Sequence, residues 1–280
     1  MIIEKGPELG FCFGVRQAIK IVQELTRERC GAETLGALVH NKQVVQELAN
    51  IGVRVARGVD DIRGDTVVTS AHGISPQVEA EIRARNIKII NTTCPFVRRL
   101  QRAARKLADW GFLVVIYGDR THPEVMATLG CANNQSLAAL DTGFVAQLDV
   151  IPHRVGILSQ TTRIPAHFNK FVKDIVDATF TKDTELYVID TICHDIRSRQ
   201  AAALELAKRV DLMLVIGDRN SANTNRLTEL GAATTRTYLV ETAADIQASW
   251  FEGQSRIGIT AGASTSEQTI NEVITKLKAL

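Results

Sequence analysis

"VVIYGDRTH" (residues 114–122) and "MLVIGDRNS" (residues 213–221) share an apolar run, the string Gly-Asp-Arg, and a polar residue three positions after the aspartate. Each precedes a stretch with helical spacing, so each reads as a strand that ends in a turn and opens a helix. Counting back 28 residues from His122 and Ser221 reaches Cys94 and Cys193. The same step back from His40, at the end of "GALVH", reaches Cys12. Every one of these cysteines precedes a helical pattern. Cys94 and Cys193 follow the strands "IKIIN" and "LYVID", so the N-terminal "MII" is the matching strand for Cys12 and completes the third copy's sheet. Thirty residues beyond Cys94 and Cys193 stand Glu124 and Asn223. Farther along each copy another strand ends in a turn of small polar residues: "VVTSAHG" at His72, "VGILSQTT" at Thr161 and Thr162, and "IGITAGAST" at Ser264.

Self-similarity at a fixed spacing is the mark of a repeat architecture. Short β-branched runs alternating with amphipathic stretches, as in "TVVTSA", "SPQVEAEIRARN" and "IKIIN", point to βαβ units. The expected fold is α/β, in three similar domains with mainly parallel sheets: 12–93, 94–191, and 192–280 completed by residues 1–11. In open α/β sheets ligands bind beyond the carboxyl ends of the strands, and all the polar residues named above lie at such ends. Three copies facing a common centre would build one site from three arms, in a pseudo-threefold arrangement.

The composition narrows the partners. Lys and Arg number 33 against 31 Asp and Glu, so whole-chain charge calls for neither nucleic acid nor a membrane surface. The start "MIIEKGPELG" lacks a basic-then-apolar leader, and the longest apolar stretch, near "FLVVIY", is far short of a bilayer span. A soluble, cytoplasmic protein is expected. Five cysteines, an odd number, do not read as a disulfide framework. Neither a P-loop string nor a dinucleotide fingerprint occurs, so direct NAD(P)H binding is not expected.

A thiol at a helix start feels the positive end of the helix dipole and ionises more readily, and the thiolate is the form that binds metal. Three such thiols, with no CxxC anywhere, suggest one centre with ligands from far apart. Two groups fit: zinc with an open fourth position, or a [4Fe–4S] cluster with one iron free of protein ligand. The surrounding His, Ser, Thr and Asn residues suit an anion, and Glu124 could supply protons. Competing structural roles stand beside these. Cys30 and Cys131 fall outside the repeat and read as structural, as do His153 and His167. Glu124 also suits a first-turn helix charge in "HPEVMATL", and Ser264 with Glu267 fits a capping box for the last helix. The basic stretch "RRLQRAARK" reads as a solvated face, with docking of an acidic electron carrier as the sharper alternative.

The strings "GFCFGV", "HNKQVV", "SAHGISP", "TTCPFV", "THPEV", "SQTT", "DTIC", "NSANTNRL" and "GITAGAST", in this order over the whole chain, resemble the 4-hydroxy-3-methylbut-2-enyl diphosphate reductase family. The resemblance implies an α/β trefoil around a central [4Fe–4S] cluster. It implies reductive loss of the substrate hydroxyl to give isopentenyl and dimethylallyl diphosphates in the methylerythritol phosphate pathway, with electrons from ferredoxin or flavodoxin. Carried over, it makes Cys12, Cys94 and Cys193 cluster ligands and His40, His72, His122, Ser221, Asn223 and Ser264 diphosphate ligands. Thr161, Thr162 and Glu124 then lie near the substrate hydroxyl, with Glu124 the proton source. This chain departs from the family at Asp119 (usually His), Ala222 (Ser), Asn91 (Asp), and at His194, Asp195 and Ile196 (Tyr-Ala-Thr). A diverged paralogue acting on a related anionic substrate, a zinc hydrolase with three thiolates, and a non-catalytic binder of an anion are the alternative readings.

Overall fold

The structure is a computed structural model that describes residues 1–29, 31–133, 136–148, 150, 152–179 and 183–280. Cys30 lies outside the described residues. The chain runs β1 (Ile2–Lys5), α1 (Phe13–Arg29), β2 (Ala32–Leu35), α2 (Lys42–Asn50), β3 (Val53–Ala56), β4 (Thr66–Thr69), α3 (Pro76–Ala84) and β5 (Lys88–Ile90). It continues through α4 (Pro95–Asp109), β6 (Leu113–Tyr117), α5 (Pro123–Leu129), β7 (Ser136–Ala139), β8 (Arg154–Ser159), α6 (Pro165–Thr179) and β9 (Glu185–Val188). The last part is α7 (His194–Ala207), β10 (Leu212–Ile216), α8 (Ala222–Ala232), β11 (Arg236–Val240), β12 (Arg256–Ala261) and α9 (Glu267–Lys278). The α/β class read from the sequence is the one observed: three four-stranded sheets, ordered β1-β12-β10-β11, β3-β2-β4-β5 and β7-β6-β8-β9. The neighbouring strands other than β3 and β2 pair in parallel, among them β1 with β12, with Ile3 opposite Ile257.

By compactness the chain forms two units. One comprises Met1–Thr26, Val39–Val53 and His194–Leu280; the other comprises Arg27–Leu38 and Arg54–Cys193. In the first, β10 is buried along its whole length because both faces are covered, as a parallel sheet requires. Leu212, Leu214 and Ile216 face Ile270, Val273 and Leu277 of α9, while Met213 and Val215 face Ala203 and Leu206 of α7. The second unit repeats the scheme in its sheet around β6. Val114 and Ile116 meet Leu100, Ala104 and Leu107 of α4, and Val115 and Tyr117 meet Phe168, Phe171 and Ile175 of α6.

Close approach of helix to strand fixes a glycine in each of these two sheets. A Cβ on Gly156 would lie 2.8 Å from Leu107, and one on Gly258 would lie 3.0 Å from both Leu206 and Val210. Gly258→Val is therefore expected to cost about 1–3 kcal/mol by overpacking, read as a lower urea midpoint at unchanged m-value.

The strand-end turns explain the shared Gly-Asp-Arg string. The Asp119 carboxylate accepts the Thr121 N–H at 2.9 Å, and the Asp218 carboxylate accepts the Asn220 N–H at 2.7 Å. Each aspartate carbonyl then takes the N–H of the helix-capping residue at 3.0 Å, from His122 and Ser221 respectively. The aspartate shapes the turn that sets the cap. At α9 the capping expectation is corrected: Ser266 caps the helix by accepting the Thr269 N–H. Ser264 lies too early to do so, and its Oγ donates to the His40 carbonyl at 3.2 Å.

Candidate functional site

One backbone hydrogen bond recurs at all three repeat cysteines. The Cys12 N–H donates to the Ala263 carbonyl, that of Cys94 to Ala71, and that of Cys193 to Thr161, each at 3.0 Å. Ala71, Thr161 and Ala263 sit just past β4, β8 and β12. The bond thus sets the equivalence of the three loops, and His72, Thr162 and Ser264 occupy the same next position. Each cysteine is pinned beside a loop that carries a candidate substrate-binding side chain. Cys12 and Cys94 are partly exposed, Cys193 is buried, and none of the three is in a disulfide. Burial pushes the Cys12 thiol up, while the Val15 and Gly14 amides and the Arg199 guanidinium pull it down and Asp195 adds to the rise. Asp195 also accepts the Phe13 N–H, at 3.4 Å.

In the unit holding residues 54–193, the structure joins His72, His122, Glu124 and Thr161. The rings of His72 and His122 meet edge to face with centroids 5.3 Å apart. His122 caps α5, its Nδ1 accepting the Glu124 N–H at 3.2 Å, so the neutral ring carries its proton on Nε2. Glu124 is in the first helical turn, as its alternative reading had it, yet it is only 2% exposed. Its Oε1 accepts the Thr161 N–H and its Oε2 the Thr161 hydroxyl, both at 2.7 Å. Burial raises its pKa; the two Thr161 bonds and the charge of Arg163 oppose the rise. Thr162 is partly buried beside this pair. Asp119 is exposed and spends its carboxylate on Thr121, whose two hydrogen bonds hold it below the usual carboxylate range.

The other unit joins His40, Ser221, Asn223 and Ser264. Besides the bond from Ser264 to His40, the Lys42 N–H donates to Asp218 at 2.7 Å and ties the His40 loop to the turn before Ser221. Ser221 caps α8. Burial lowers the His40 pKa, and Asp218 opposes that shift. Asn223 is 4% exposed, and among the described residues neither its Nδ2 nor its Oδ1 has a partner. A buried amide left with both atoms unsatisfied is a place where a polar ligand belongs.

Two participants escaped the sequence reading. Asp218 is buried and bonded across the fold to Lys42; its only signal was the repeated Gly-Asp-Arg string. Arg163 is buried, donates through Nε to Gln160 at 3.1 Å, and lies 5.4 Å from the Tyr117 ring centre. Gln160 in turn accepts the Asp119 N–H. Arg163 stands directly after "SQTT", which was the available cue. Cys131 is buried with its thiol donating to the Ala127 carbonyl, and His153 bonds the Asp183 carbonyl at the surface, consistent with structural roles for both. His167 lies in α6.

Each of the three repeat thiols, partly or fully buried at a helix start and beside its backbone bond, is a donor of the kind that binds an iron–sulfur cluster or zinc. A family model described as LytB protein matches residues 3–278. The 4-hydroxy-3-methylbut-2-enyl diphosphate reductase of Dehalococcoides mccartyi strain CBDB1 is 52% identical over 280 residues, covering 100% of this chain and 99% of that protein. Its namesake from Aquifex aeolicus is 39% identical, covering 97% of this chain and 94% of that one. A solved (E)-4-hydroxy-3-methyl-but-2-enyl diphosphate reductase, described as the terminal enzyme of the non-mevalonate pathway, matches with a TM-score of 0.72 at 36% identity, covering 100% of both chains. The corresponding Plasmodium falciparum structure matches in fold, with a TM-score of 0.91 at 24% identity over 99% of this chain and 88% of that one. A family-model match along almost the entire chain and relatives at up to 52% identity agree, and the chain belongs to the LytB protein family.

Proposed function

We propose that this chain reductively removes the hydroxyl of 4-hydroxy-3-methylbut-2-enyl diphosphate, giving isopentenyl and dimethylallyl diphosphates. The observation that carries the reading is the recurring backbone bond: Cys12, Cys94 and Cys193 each donate to the residue just before Ser264, His72 and Thr162, respectively, and so occupy equivalent places. The names of the relatives and the full-length coverage support the same reaction. We read 12–93, 94–191 and 192–280 with 1–11 as the three repeats, a reading supported by the one parallel sheet that falls in each.

In this reading Cys12, Cys94 and Cys193 would hold a [4Fe–4S] cluster. When bound, such a cluster supplies electrons one at a time and a Lewis-acidic iron without a protein ligand. His40, His72, His122, Ser221, Asn223 and Ser264 bind the diphosphate. They do so with neutral donors, among them the Nε2–H of His122 and the unsatisfied amide of Asn223. Glu124 delivers a proton, and its Oε2 has a direct route through the Thr161 hydroxyl at 2.7 Å. Burial keeps that proton on the carboxyl more readily than in water, which is what an acid for a leaving hydroxyl requires. The balance is two electrons and two protons: the C–O bond breaks, the hydroxyl leaves as water, and the allylic carbon skeleton gains one hydrogen. A ferredoxin or flavodoxin supplies the electrons. No helix among the described residues is long and apolar enough to cross a membrane.

The test is turnover of the diphosphate alcohol by anaerobically reconstituted protein, with dithionite-reduced methyl viologen as donor. Release of both five-carbon diphosphates, with two viologens oxidised per product, is expected. A fully clustered protein that forms no product would overturn the reading.

A further inference from the structure

The helix α4 begins at Cys94 and carries Arg98, Arg99, Arg102, Arg105 and Lys106 against a single acid, Asp109. Its apolar residues, Val97, Leu100, Ala104, Leu107 and Ala108, are all buried, so the cations are forced to the opposite side. Arg98, Arg102 and Arg105 recur at helical spacing and line one groove of about 290 Å³, together with Asn91, Thr93 and Gln101. Among the described residues none of these three arginines pairs with a carboxylate. Arg98 bonds to Asn91, Arg102 donates to the Arg98 carbonyl, and Arg105 interacts with Cys131. The one acid on the groove wall, Glu79, is engaged by Arg83 at 2.5 Å. Within the groove the Gln101 Nε2 is buried and, among the described residues, makes no hydrogen bond.

Three unneutralised guanidiniums on a concave face attract carboxylates by long-range field and by fork-like hydrogen bonding. The groove also adjoins the site. Thr93 directly precedes Cys94 and Asn91 stands three residues before it, and Gly73, beside His72, has the positive φ of 77° and the missing Cβ that admit the Gln101 side chain. At 1.5 Å per residue, Arg98 to Arg105 stand about 6 to 16 Å along the helix from Cys94. A partner seated here lies next to one cluster ligand.

We propose that this groove docks a small acidic protein that carries one electron at a time, placing its redox centre toward Cys94. The inference rests on the reductase reading above and assigns the surface through which electrons enter. Two one-electron deliveries per turnover supply the two electrons of the C–O cleavage. Each oxidises the carrier and reduces the cluster by one electron.

The test compares Arg102→Glu/Arg105→Glu with the parent chain, both with full cluster content. Two donors are used: a [2Fe–2S] ferredoxin kept reduced by an NADPH-dependent reductase, and dithionite-reduced methyl viologen. With ferredoxin at low salt, kcat/KM is expected to fall at least about tenfold in the variant, the parent's decline with added salt to flatten, and Arg102→Lys/Arg105→Lys to retain most of the activity. With methyl viologen, turnover is expected to be unchanged. Equal ferredoxin kcat/KM in variant and parent overturns the proposal, and so does parallel loss with both donors, since the arginines would then serve the site itself. A parent chain inactive with methyl viologen contradicts the reductase reading instead.

Discussion

Glu124→Gln is expected to lower turnover roughly 10²- to 10⁴-fold, the range contributed by a positioned acid, while cluster content and diphosphate binding stay at the parent level. Gln is isosteric with Glu, so α5 and its His122 cap need not move, and its carbonyl oxygen can still accept one of the two bonds from Thr161. What is lost is the proton. A second observable separates this role from a structural one. Burial raises the Glu124 pKa, so the folded chain holds a proton that the unfolded chain, with a glutamate near 4.3, has already released. Stability from this group is complete below the unfolded value and is lost as pH rises through the raised folded value. Glu124→Gln removes that slope. Turnover equal to the parent would take Glu124 out of the reaction, and an unaltered pH dependence of the urea midpoint would show that the carboxyl is not held protonated.

Serine at Cys12, Cys94 or Cys193 is expected to reduce bound iron sharply and to lower turnover by more than the factor of about 100 typical of losing a group that merely supports a ligand. Cys12 and Cys94 are partly exposed and Cys193 sits at a helix start, so the exchange leaves the apo fold intact. The backbone bonds to Ala263, Ala71 and Thr161 do not involve the thiols and survive it. The comparison variant is Cys131→Ser, whose thiol is buried against α5 and bonded to the Ala127 carbonyl; iron content there should match the parent. Iron and turnover equal to the parent in any of the three repeat variants would break the equivalence on which the site is built.

How much of this was legible before folding depends on the range of the interaction. The paired Gly-Asp-Arg strings carried the repeat because the aspartate acts locally, closing a turn on the amide two residues on. Buried strands such as "LMLVI" announced themselves because a sheet covered on both faces needs no polar alternation. The register of the second copy's loop did not. That Thr161 aligns with Ala71 and Ala263, leaving Thr162 to match His72 and Ser264, follows from hydrogen bonds to cysteines up to 251 residues away in sequence. The Ser264 capping box failed for a related reason: a serine two positions later, Ser266, fits the helix start better and releases Ser264 to the His40 carbonyl. The bond between Asp218 and Lys42, 176 residues apart, and the burial of Arg163 over Tyr117 depend on partners that the local cues, the Gly-Asp-Arg string and the place after "SQTT", do not specify. The departures at Asp119 and Asn91 also acquire local explanations. Asp119 is exposed and satisfied by Thr121, and the Asn91 Oδ1 accepts the Thr93 N–H at 3.0 Å.

The most direct test of the central claim is iron and acid-labile sulfide per chain on protein purified without oxygen. About four of each are expected from a cubane cluster held by three cysteines. Zinc bound without sulfide would mean that the three thiols form a metal site of a different kind and that the electron chemistry assigned to it is wrong.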